Sequence, residues 1–356
     1  MKNFTKINRA LVAKKKLFLF IAAALMSAGM AQSAISDYPV QKNIDYVGDS
    51  HTGHKMDIYY PNDEQTKHPV VIHIYGSAWA SNSSKGSADL STVGIAALEA
   101  GYVFVAPNHR MYSDALFPAQ LQDIKALVRY LRANAETLKL DTSFIAVSGF
   151  SSGGHLAVLM GVTRGLTEKT VGSETINIEG NLGNYTDQSS SVDAVCSWAG
   201  MVELRSDKIC DIAYMNMISL VAENLIGPSY ASKPDLWALA CADTYVDAKN
   251  APTVLFHGSA DNVYPQCESK NFYDKLQAAN VESEYYPHTG GHGVEASYLD
   301  EMITFLNKIK AAKAAATALD QTSQEPKANC QKLIEDGQIF ILRDGKTYTI
   351  MGVEVR

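Results

Sequence analysis

The chain has 356 residues, 46% of them hydrophobic and 19% charged, which suits one large globular domain, alone or with a small appendage. Its formal net charge of −7 becomes about −13 once a cationic N-terminal segment is removed. A chain this acidic is a poor partner for nucleic acid and other polyanions, so we expect no nucleic-acid binding.

The N-terminal segment has the layout of a secretory signal peptide. Residues 1–16 carry six lysines and arginines and no acid, and the apolar run LFLFIAAALMSAGMA at 17–31 is followed by small residues. This run is short for a membrane span, and no later run approaches membrane length. We therefore expect a signal peptide at 1–33, cleaved after Ala31 or Ser33, and a secreted or periplasmic protein. No cysteine stands directly after the apolar run to carry a lipid, so no membrane anchor is expected after cleavage.

The cysteines are odd in number, which in an exported chain predicts one or two disulfides and a spare thiol. They are Cys196, Cys210, Cys241, Cys267 and Cys330. The sequence contains no C-x-x-C or H-E-x-x-H motif and no clustered His/Cys spacing. We therefore expect no metal site, and the chemistry inferred below needs no cofactor.

Strand and helix patterns alternate along the chain, beginning with a β-hairpin or paired edge strands at IDYVG and KMDIYYP. Further strands are predicted at 69–75, 102–107, 143–149, 191–200, 251–258 and 281–287. Helices are predicted at 87–101, 118–138, 153–164, 266–280 and about 293–317. Strands separated by helices indicate an α/β fold with a mainly parallel sheet covered on both faces.

Two insertions and a tail interrupt this alternation. Residues 165–190 are polar and turn-rich, and residues 201–250 hold helical patterns broken by prolines, as expected of a small cap. We assign 34–320 to the catalytic domain and 321–329 to a linker. The tail at 330–356 has Asp-Gly turns at 336–337 and 344–345 between short β runs, which predicts a three-stranded meander.

The stretch VSGFSSGGHLA contains a G-x-S-x-G motif centred on Ser151, with Ser152 beside it. A predicted strand enters the motif and a predicted helix leaves it, as a nucleophile elbow requires. Glycines at 149 and 153 remove side chains that would crowd so sharp a turn. We therefore predict that Ser151 is the nucleophile and that Ser152 contributes its backbone amide.

A serine nucleophile needs a histidine base and an acid, which in α/β-hydrolases follow it in the order Ser, Asp/Glu, His. Five histidines precede Ser151, His155 is expected to pack beneath it, and His257 ends a strand as a hydrogen-bonded structural residue. His288 and His292 remain. We favour His292 because it lies in a glycine-flanked loop between the last strand and the last helix, whereas His288 is at the strand's end.

The acid is predicted at Asp261, in the loop of LFHGSADNVYP directly after a strand. A lone aspartate in such a loop is more often an Asx-turn or a helix cap. Its place after the penultimate core strand, before His292, favours the catalytic interpretation. Asp243 and Asp247 are weaker candidates because they lie in the cap segment.

An oxyanion hole needs two backbone amides aimed at the developing negative charge. One comes from Ser152, and the second is expected from the segment IYGSAWASNSSKGS at 74–87. Ser77 is the predicted donor, with Ala78 adjacent. Trp79 is interpreted either as a substrate-binding wall of the acyl pocket or as buried support, and burial is the default for such a residue.

The co-linear motifs IHIYGSAW, APNHRMYSDALFPAQLQDIKALVRYLRAN, IAVSGFSSGGHLA, EGNLGNYTDQSSSVDAV, FHGSADNVYP and GGHG resemble a known family. They are similar to secreted α/β-hydrolase esterases of the acetylxylan and feruloyl esterase type, in the hormone-sensitive-lipase-like branch, over about residues 40–310. The resemblance implies the α/β-hydrolase fold and the triad Ser151, Asp261 and His292, with Arg110 and Asp123 in structural roles.

One motif departs from that family, which usually has His-Gly-Gly-Gly-Trp where this chain has Tyr75 to Trp79 in the order Tyr-Gly-Ser-Ala-Trp. The hole is retained because backbone amides form it, whereas its detailed geometry and the substrate preference are expected to differ. The tail at 330–356 looks like short C-terminal segments of secreted bacterial glycan-degrading proteins.

The expected function is that of a secreted serine carboxylesterase that removes acetyl or feruloyl groups from plant polysaccharides such as xylan, or from their oligosaccharides. The expected partner is the acylated carbohydrate itself. One alternative is an amidase or peptidase of the same fold, although such relatives usually carry a propeller domain that this chain is too short to supply. Another is a non-catalytic binding protein on a hydrolase scaffold, which the intact Ser-Asp-His set disfavours.

Overall fold

The computed structural model describes residues 33–86, 89–324, 331–335, 338–343, 346–349, 351 and 353–355. The predicted signal peptide, except its last residue, lies outside these ranges, and so do Cys330 and both Asp-Gly turns. The chain divides into two compact units, the first ending at Leu299 and the second beginning at Asp300. Within the described residues, no helix has the length and apolar character needed to cross a membrane.

An eight-stranded sheet forms the centre of the first unit, and its inner strands are largely buried. The strands of the chain are β1 Val40–Asp45, β2 Lys55–Tyr59, β3 His68–Ile74, β4 Val103–Pro107, β5 Leu140–Phe150, β6 Glu168–Val171, β7 Glu174–Asn177, β8 Ala194–Trp198, β9 Thr253–Gly258, β10 Ser283–His288, β11 Gln331–Glu335, β12 Gln338–Arg343, β13 Lys346–Thr349 and β14 Glu354–Val355. The order in the sheet is β1-β2-β4-β3-β5-β8-β9-β10.

The pairs β1–β2 and β2–β4 are antiparallel, and the other pairs of this sheet are parallel. β5 lies in the middle, with Val147 opposite Ile72 of β3 and Val195 of β8. These side chains are buried because helices cover both faces of a parallel sheet. The predicted α/β-hydrolase architecture, with its antiparallel edge pair, is therefore confirmed.

The helices follow the predicted order, with ends that differ by up to eight residues, as at the helix predicted for 87–101. They are α1 Ile95–Glu99, α2 Ala119–Ala133, α3 Ser152–Val162, α4 Met215–Ile226, α5 Pro234–Leu239, α6 Gln266–Ala278 and α7 Leu299–Gln324. Every residue of α3 is buried, because its sequence is apolar or small on all sides and it lies beneath the end of β5. This packing fixes the turn between β5 and α3 rigidly.

The two insertions of the first unit pack on each other. The first forms the hairpin β6–β7, and the second contains α4 and α5. Lys233 pairs with Glu174 at 2.6 Å, and the Ser173 amide donates to Asp235 at 3.1 Å, which joins the hairpin to the start of α5. A disulfide between Cys210 and Cys267 attaches the second insertion to α6.

The second unit contains α7 and a small antiparallel sheet in the order β11-β12-β13-β14. Helix α7 extends to Gln324, so residues 321–324 of the predicted linker are helical. The predicted three-stranded meander has a fourth short strand, Glu354–Val355, paired with β13.

Candidate active site

The turn between β5 and α3 places Ser151 in a backbone conformation that residues with a Cβ rarely adopt. Its φ is 54° and its ψ is −120°. A Cβ at Gly149 would lie 2.2 Å from the carbonyl oxygen of Gly153, and a Cβ at Gly153 would lie 2.0 Å from that of Ile74. Both glycines are therefore required by close backbone contact, and the predicted elbow is present.

Ser151, His292 and Asp261 form a continuous hydrogen-bonded chain. The Oγ of Ser151 lies 2.9 Å from Nε2 of His292, and Nδ1 of His292 lies 2.7 Å from Oδ2 of Asp261. Ser151 and Asp261 are buried, and the His292 side chain is 15% exposed. The three residues proposed from the sequence thus lie together in the order and geometry of a serine-hydrolase triad.

The carboxylate of Asp261 accepts four hydrogen bonds. The backbone amides of Val263 and Tyr264 donate to Oδ1 at 2.8 and 2.9 Å, and Oδ2 accepts from His257 at 3.1 Å as well as from His292. Burial by itself raises the pKa of Asp261, but these hydrogen bonds outweigh it and hold the pKa well below its ordinary value. Asp261 is therefore ionised throughout the neutral pH range.

His257 is a second imidazole on the same carboxylate oxygen. Its Nε2 faces two acceptors, Oδ2 of Asp261 and the carbonyl of Tyr264, both at 3.1 Å. Its Nδ1 lies 2.7 Å from Oγ of Ser269. We assign the proton to Nε2 and the Ser269 hydroxyl as donor to Nδ1, because only this tautomer satisfies all three contacts. The sequence indicated a hydrogen-bonded structural role for His257 but not its contact with the triad acid.

His292, rather than His288, contacts the nucleophile. The ring of Phe150 packs against the His292 ring at a centroid distance of 4.8 Å. Nδ1 of His288 instead accepts the Gly290 amide at 3.1 Å. An open cavity of about 170 Å³ lies beside the base, lined by His288, Gly291, His292, Gly293, Val294 and Glu295. Phe150 was not identified from the sequence, since it occupies a variable position of G-x-S-x-G.

The segment Gly76–Trp79, which we call the oxyanion loop, lies directly above the elbow. The amide of Ser77 donates to Oγ of Ser152 at 2.9 Å. This differs from the expectation, in which the Ser77 amide was free to bind the oxyanion and the Ser152 hydroxyl had no role. Among the described residues, the amides of Ala78 and Ser152 make no hydrogen bond of their own. In the described part of the chain the Gly76 and Trp79 amides also donate to no acceptor. We take Ala78, which the sequence placed beside the expected donor, together with Ser152 as the candidate pair for an incoming oxyanion.

Trp79 is fully buried, at 0% exposure, and therefore does not form an exposed wall of a pocket. Its ring packs edge-on against His155, with centroids 5.0 Å apart. His155 donates from Nε2 to the Ala240 carbonyl at 2.8 Å, and burial lowers its pKa to about 4, so it is neutral. The substrate-binding assignment of Trp79 is thus corrected to buried support at the end of the oxyanion loop. His155 is buried, with its ring against Trp79.

The second insertion supports the acid loop through contacts that the sequence did not reveal. The hydroxyl of Tyr214 donates to the backbone carbonyl of Asp261 at 2.7 Å. The hydroxyl of Tyr264 accepts the amides of Val202 and Glu203 at 3.0 and 2.9 Å. Tyrosine hydroxyls that satisfy backbone groups in this way fix the relative position of two loops.

One group of metal-ligating side chains occurs among the described residues, formed by Glu203, Cys241 and Asp243. Cations of the chain already pair with it. Arg205 contacts Glu203 at 2.5 Å and Asp243 at 3.0 Å, and Lys275 contacts Asp243 at 2.6 Å. The group is therefore an ion-pair network, and these contacts also exclude Asp243 as the triad acid.

The other positions considered from the sequence have structural contacts. Asp247 accepts the Lys249 amide at 2.7 Å, which is an Asx-turn. Arg110 and the buried Asp123 form an ion pair at 2.6 Å, in agreement with the structural roles implied for them.

Comparison with known proteins places this site in a family. The family model named BD-FAE matches residues 56–276, more than half of the chain. A bifunctional GH43-CE protein of Bacteroides eggerthii is 39% identical, with a TM-score of 0.71, over 76% of this chain and 38% of that one. A truncated carbohydrate esterase from gut microbiota is 35% identical, with a TM-score of 0.72, over 80% of this chain and 99% of that one.

Named relatives match at lower identity. Esterase LipC of Mycobacterium tuberculosis (strain ATCC 25618 / H37Rv) is 28% identical over 278 residues, which cover 73% of this chain and 63% of LipC. Esterase LipQ of the same strain is 24% identical over 61% of this chain and 48% of LipQ. The chain thus spans between about half and two thirds of the length of these relatives. The family match, the sheet order and the elbow agree with the resemblance drawn from the motifs, and the chain belongs to the BD-FAE family of hormone-sensitive-lipase-like α/β-hydrolases.

Proposed function

We propose that this protein is a serine carboxylesterase that removes acetyl or feruloyl groups from plant polysaccharides or their oligosaccharides. The observation that carries the proposal is the hydrogen-bonded chain from Ser151 through His292 to Asp261. Two further facts support the substrate class. The family is esterase-like, and a carbohydrate esterase aligns with this chain over 99% of its own length.

In the first step, Oγ of Ser151 attacks the ester carbonyl while Nε2 of His292 accepts its proton. The ionised Asp261 keeps Nδ1 of His292 protonated and stabilises the imidazolium that forms. The intermediate then collapses, the bond between the acyl carbon and the sugar oxygen breaks, and His292 gives its proton to that oxygen, which leaves as a hydroxyl. The acyl group remains on Ser151 until a water molecule, deprotonated by His292, attacks the acyl carbon. The bond to Oγ of Ser151 then breaks, the proton returns from His292 to Oγ, and the carboxylic acid leaves.

The negative charge on the tetrahedral oxygen is stabilised by the amides of Ser152 and Ala78. Ser152 begins α3, so the partial positive charge of the helix N-terminus adds to its donor. The charge develops only in the transition state, and preorganised amides therefore lower the barrier without tightening ester binding.

Hydrolysis of p-nitrophenyl acetate by the wild type and by Ser151→Ala tests the mechanism. We expect the variant to lose about 10⁵- to 10⁶-fold in kcat, as other serine hydrolases do when the nucleophile is removed. Ser148→Ala is the matched control, because it removes a different buried hydroxyl, which lies in β5 and contacts His73 at 3.0 Å. Activity of Ser151→Ala equal to that of the control would contradict the triad assignment.

Release of acetic acid from acetylated xylan and of ferulic acid from feruloylated arabinoxylan identifies the acyl group. Release of neither acid by an enzyme that cleaves p-nitrophenyl acetate would contradict the substrate class. Export is a separate part of the proposal. N-terminal sequencing of the exported protein is expected to begin after Ala31 or Ser33, and an uncleaved N-terminus would contradict the predicted signal peptide.

A further inference from the structure

We propose that the side-chain hydroxyl of Ser152 is a positioning group that holds the oxyanion loop against the elbow. The residue thereby serves the hole twice, through its amide and through its hydroxyl. The inference rests on the proposed serine-esterase function. It extends that function by assigning a task to the second serine of the pair, for which the triad mechanism needs only a backbone amide.

The first observation is the direct bond between the two parts of the hole. The hydroxyl of Ser152 is completely buried and accepts the Ser77 amide at 2.9 Å. Ser152 is the first residue of α3 and follows the nucleophile directly, so it shares the rigidity of the elbow. Its hydroxyl therefore ties the middle of the oxyanion loop to the residue beside the reacting oxygen.

The second observation is that steric contact limits the loop from the opposite direction. A Cβ at Gly76 would lie 2.8 Å from Cδ1 of Phe150 and 2.9 Å from Cβ of Ser151, so the loop already touches the elbow. Contact stops the loop from moving closer, and the hydrogen bond to Ser152 stops it from moving away. Together they fix the distance between the loop amides and Ser151 Oγ.

The third observation is that the loop is held in a conformation it would not favour alone. Ala78 and Trp79 have φ values of 51° and 56°, in the left-handed region that residues with a Cβ disfavour. Behind them, the carbonyl of Trp79 accepts the Tyr112 amide at 2.9 Å. On the side of the elbow, the hydrogen bond from the Ser77 amide to the Ser152 hydroxyl opposes relaxation of Ser77 and Ala78 toward a more favourable backbone conformation.

Loss of the hydroxyl is therefore expected to misplace the Ala78 amide while leaving the ester-binding surface intact. Displacement of a catalytic group by about 1 Å costs up to about 100-fold in rate. For Ser152→Ala we expect a 10- to 100-fold lower kcat with KM within twofold of the wild type, because the amide acts on the transition state. Ser152→Thr, which retains the acceptor, is expected to stay within threefold of the wild type.

The experiment compares Ser152→Ala, Ser152→Thr and Ser152→Cys with Ser148→Ala in p-nitrophenyl acetate hydrolysis, with thermal unfolding of each variant. Ser148→Ala also loses one buried hydroxyl hydrogen bond near the elbow and is expected to keep kcat within twofold. A second readout is inhibition by a trifluoromethyl ketone, whose hemiketal oxygen occupies the hole. Its inhibition constant should rise in parallel with the loss of kcat in Ser152→Ala and stay constant in Ser148→Ala.

The inference is overturned if the kcat of Ser152→Ala equals or exceeds that of Ser148→Ala, since the hydrogen bond from the Ser77 amide to Ser152 would then not be needed for catalysis. If Ser152→Ala does not fold, the comparison of Ser152→Thr with Ser152→Cys tests the inference. A thiol is a poorer hydrogen-bond acceptor than a hydroxyl, so Ser152→Cys is expected to have the lower kcat. Equal kcat in these two variants would also overturn the inference. Failure of the proposed function is distinguished by Ser151→Ala, whose activity would then not fall to background.

Discussion

Replacing Asp261 by asparagine tests how four hydrogen bonds set the position of one proton on the base. Oδ1 faces the amides of Val263 and Tyr264, and Oδ2 faces Nδ1 of His292 and Nε2 of His257. Every acceptor direction of the carboxylate thus meets a donor. Asparagine offers one oxygen and one NH₂ group in the same shape, so one pair of donors must lose its acceptor.

The backbone pair cannot change its character, whereas an imidazole can change its tautomer. The asparagine oxygen therefore takes the Oδ1 site, and its NH₂ group faces His292 and His257. His292 then accepts at Nδ1 and carries its proton on Nε2, which lies 2.9 Å from Oγ of Ser151. In that tautomer His292 cannot take the proton of Ser151, so general-base catalysis stops although every side chain remains in place.

The expected loss in kcat is about 10⁴-fold, the effect of the same tautomer change in a serine protease, which corresponds to about 5.5 kcal/mol in the activation barrier. The assay is hydrolysis of p-nitrophenyl acetate between pH 6 and 9, with thermal unfolding to verify the fold. Ser269→Ala is the control. It removes the hydroxyl 2.7 Å from His257 Nδ1 without touching the triad, and a loss of less than tenfold is expected. If Asp261→Asn keeps more than a tenth of wild-type kcat, the hydrogen-bond argument is refuted.

Two further predictions concern stability. Burial raises the pKa of Glu268 from 4.5 to about 7, so the folded state retains a proton that the unfolded state has lost, and the free energy of unfolding decreases as pH rises through this interval. At about 1.4 kcal/mol per pKa unit, the free energy of unfolding should fall by about 3 kcal/mol, and Glu268→Gln should abolish this fall. Urea unfolding of the wild type and of Glu268→Gln at pH 5 and pH 8.5 measures the difference. Equal pH dependence in the wild type and the variant would contradict the prediction. The disulfide between Cys210 and Cys267, 57 residues apart, should contribute about 4 kcal/mol by the chain-entropy estimate. The variant with both Cys210→Ser and Cys267→Ser should therefore unfold at a lower urea concentration than the wild type. An unchanged urea midpoint would exclude this contribution.

The features that could be predicted from the sequence are those that depend on local backbone geometry. Gly149 and Gly153 are required because the chain turns sharply between a strand and a helix, and such a requirement is visible in the order of residues alone. The positions of Asp261 and His292 were predictable for a related reason. Each follows a strand, and parallel strands bring the loops at their carboxyl ends to one edge of the sheet.

Features that depend on side-chain direction across long separations were not predictable. The bond between Ser77 and Ser152 joins residues 75 apart, and nothing in either segment shows that the Ser152 hydroxyl turns toward the loop. Trp79 was ambiguous for the same reason, because an aromatic residue beside a predicted site suits a pocket wall as well as the buried support that is its default. Five cysteines likewise left the pairing of Cys210 with Cys267 undetermined.

The second insertion shows how a segment that looks peripheral in sequence can be essential to a site. Its helical patterns, broken by prolines, indicated only a cap, yet the Tyr214 hydroxyl donates to the carbonyl of Asp261 and the disulfide attaches Cys210 to the start of α6. The hydroxyl of Tyr264, three residues after the acid, binds the amides of Val202 and Glu203 in the same insertion. The carboxylate is thus oriented by its own loop while the loop is fixed by the insertion. Because imidazole geometry at His292 follows that carboxylate, the precision of the base depends on residues that lie outside the triad motifs and carry no motif of their own.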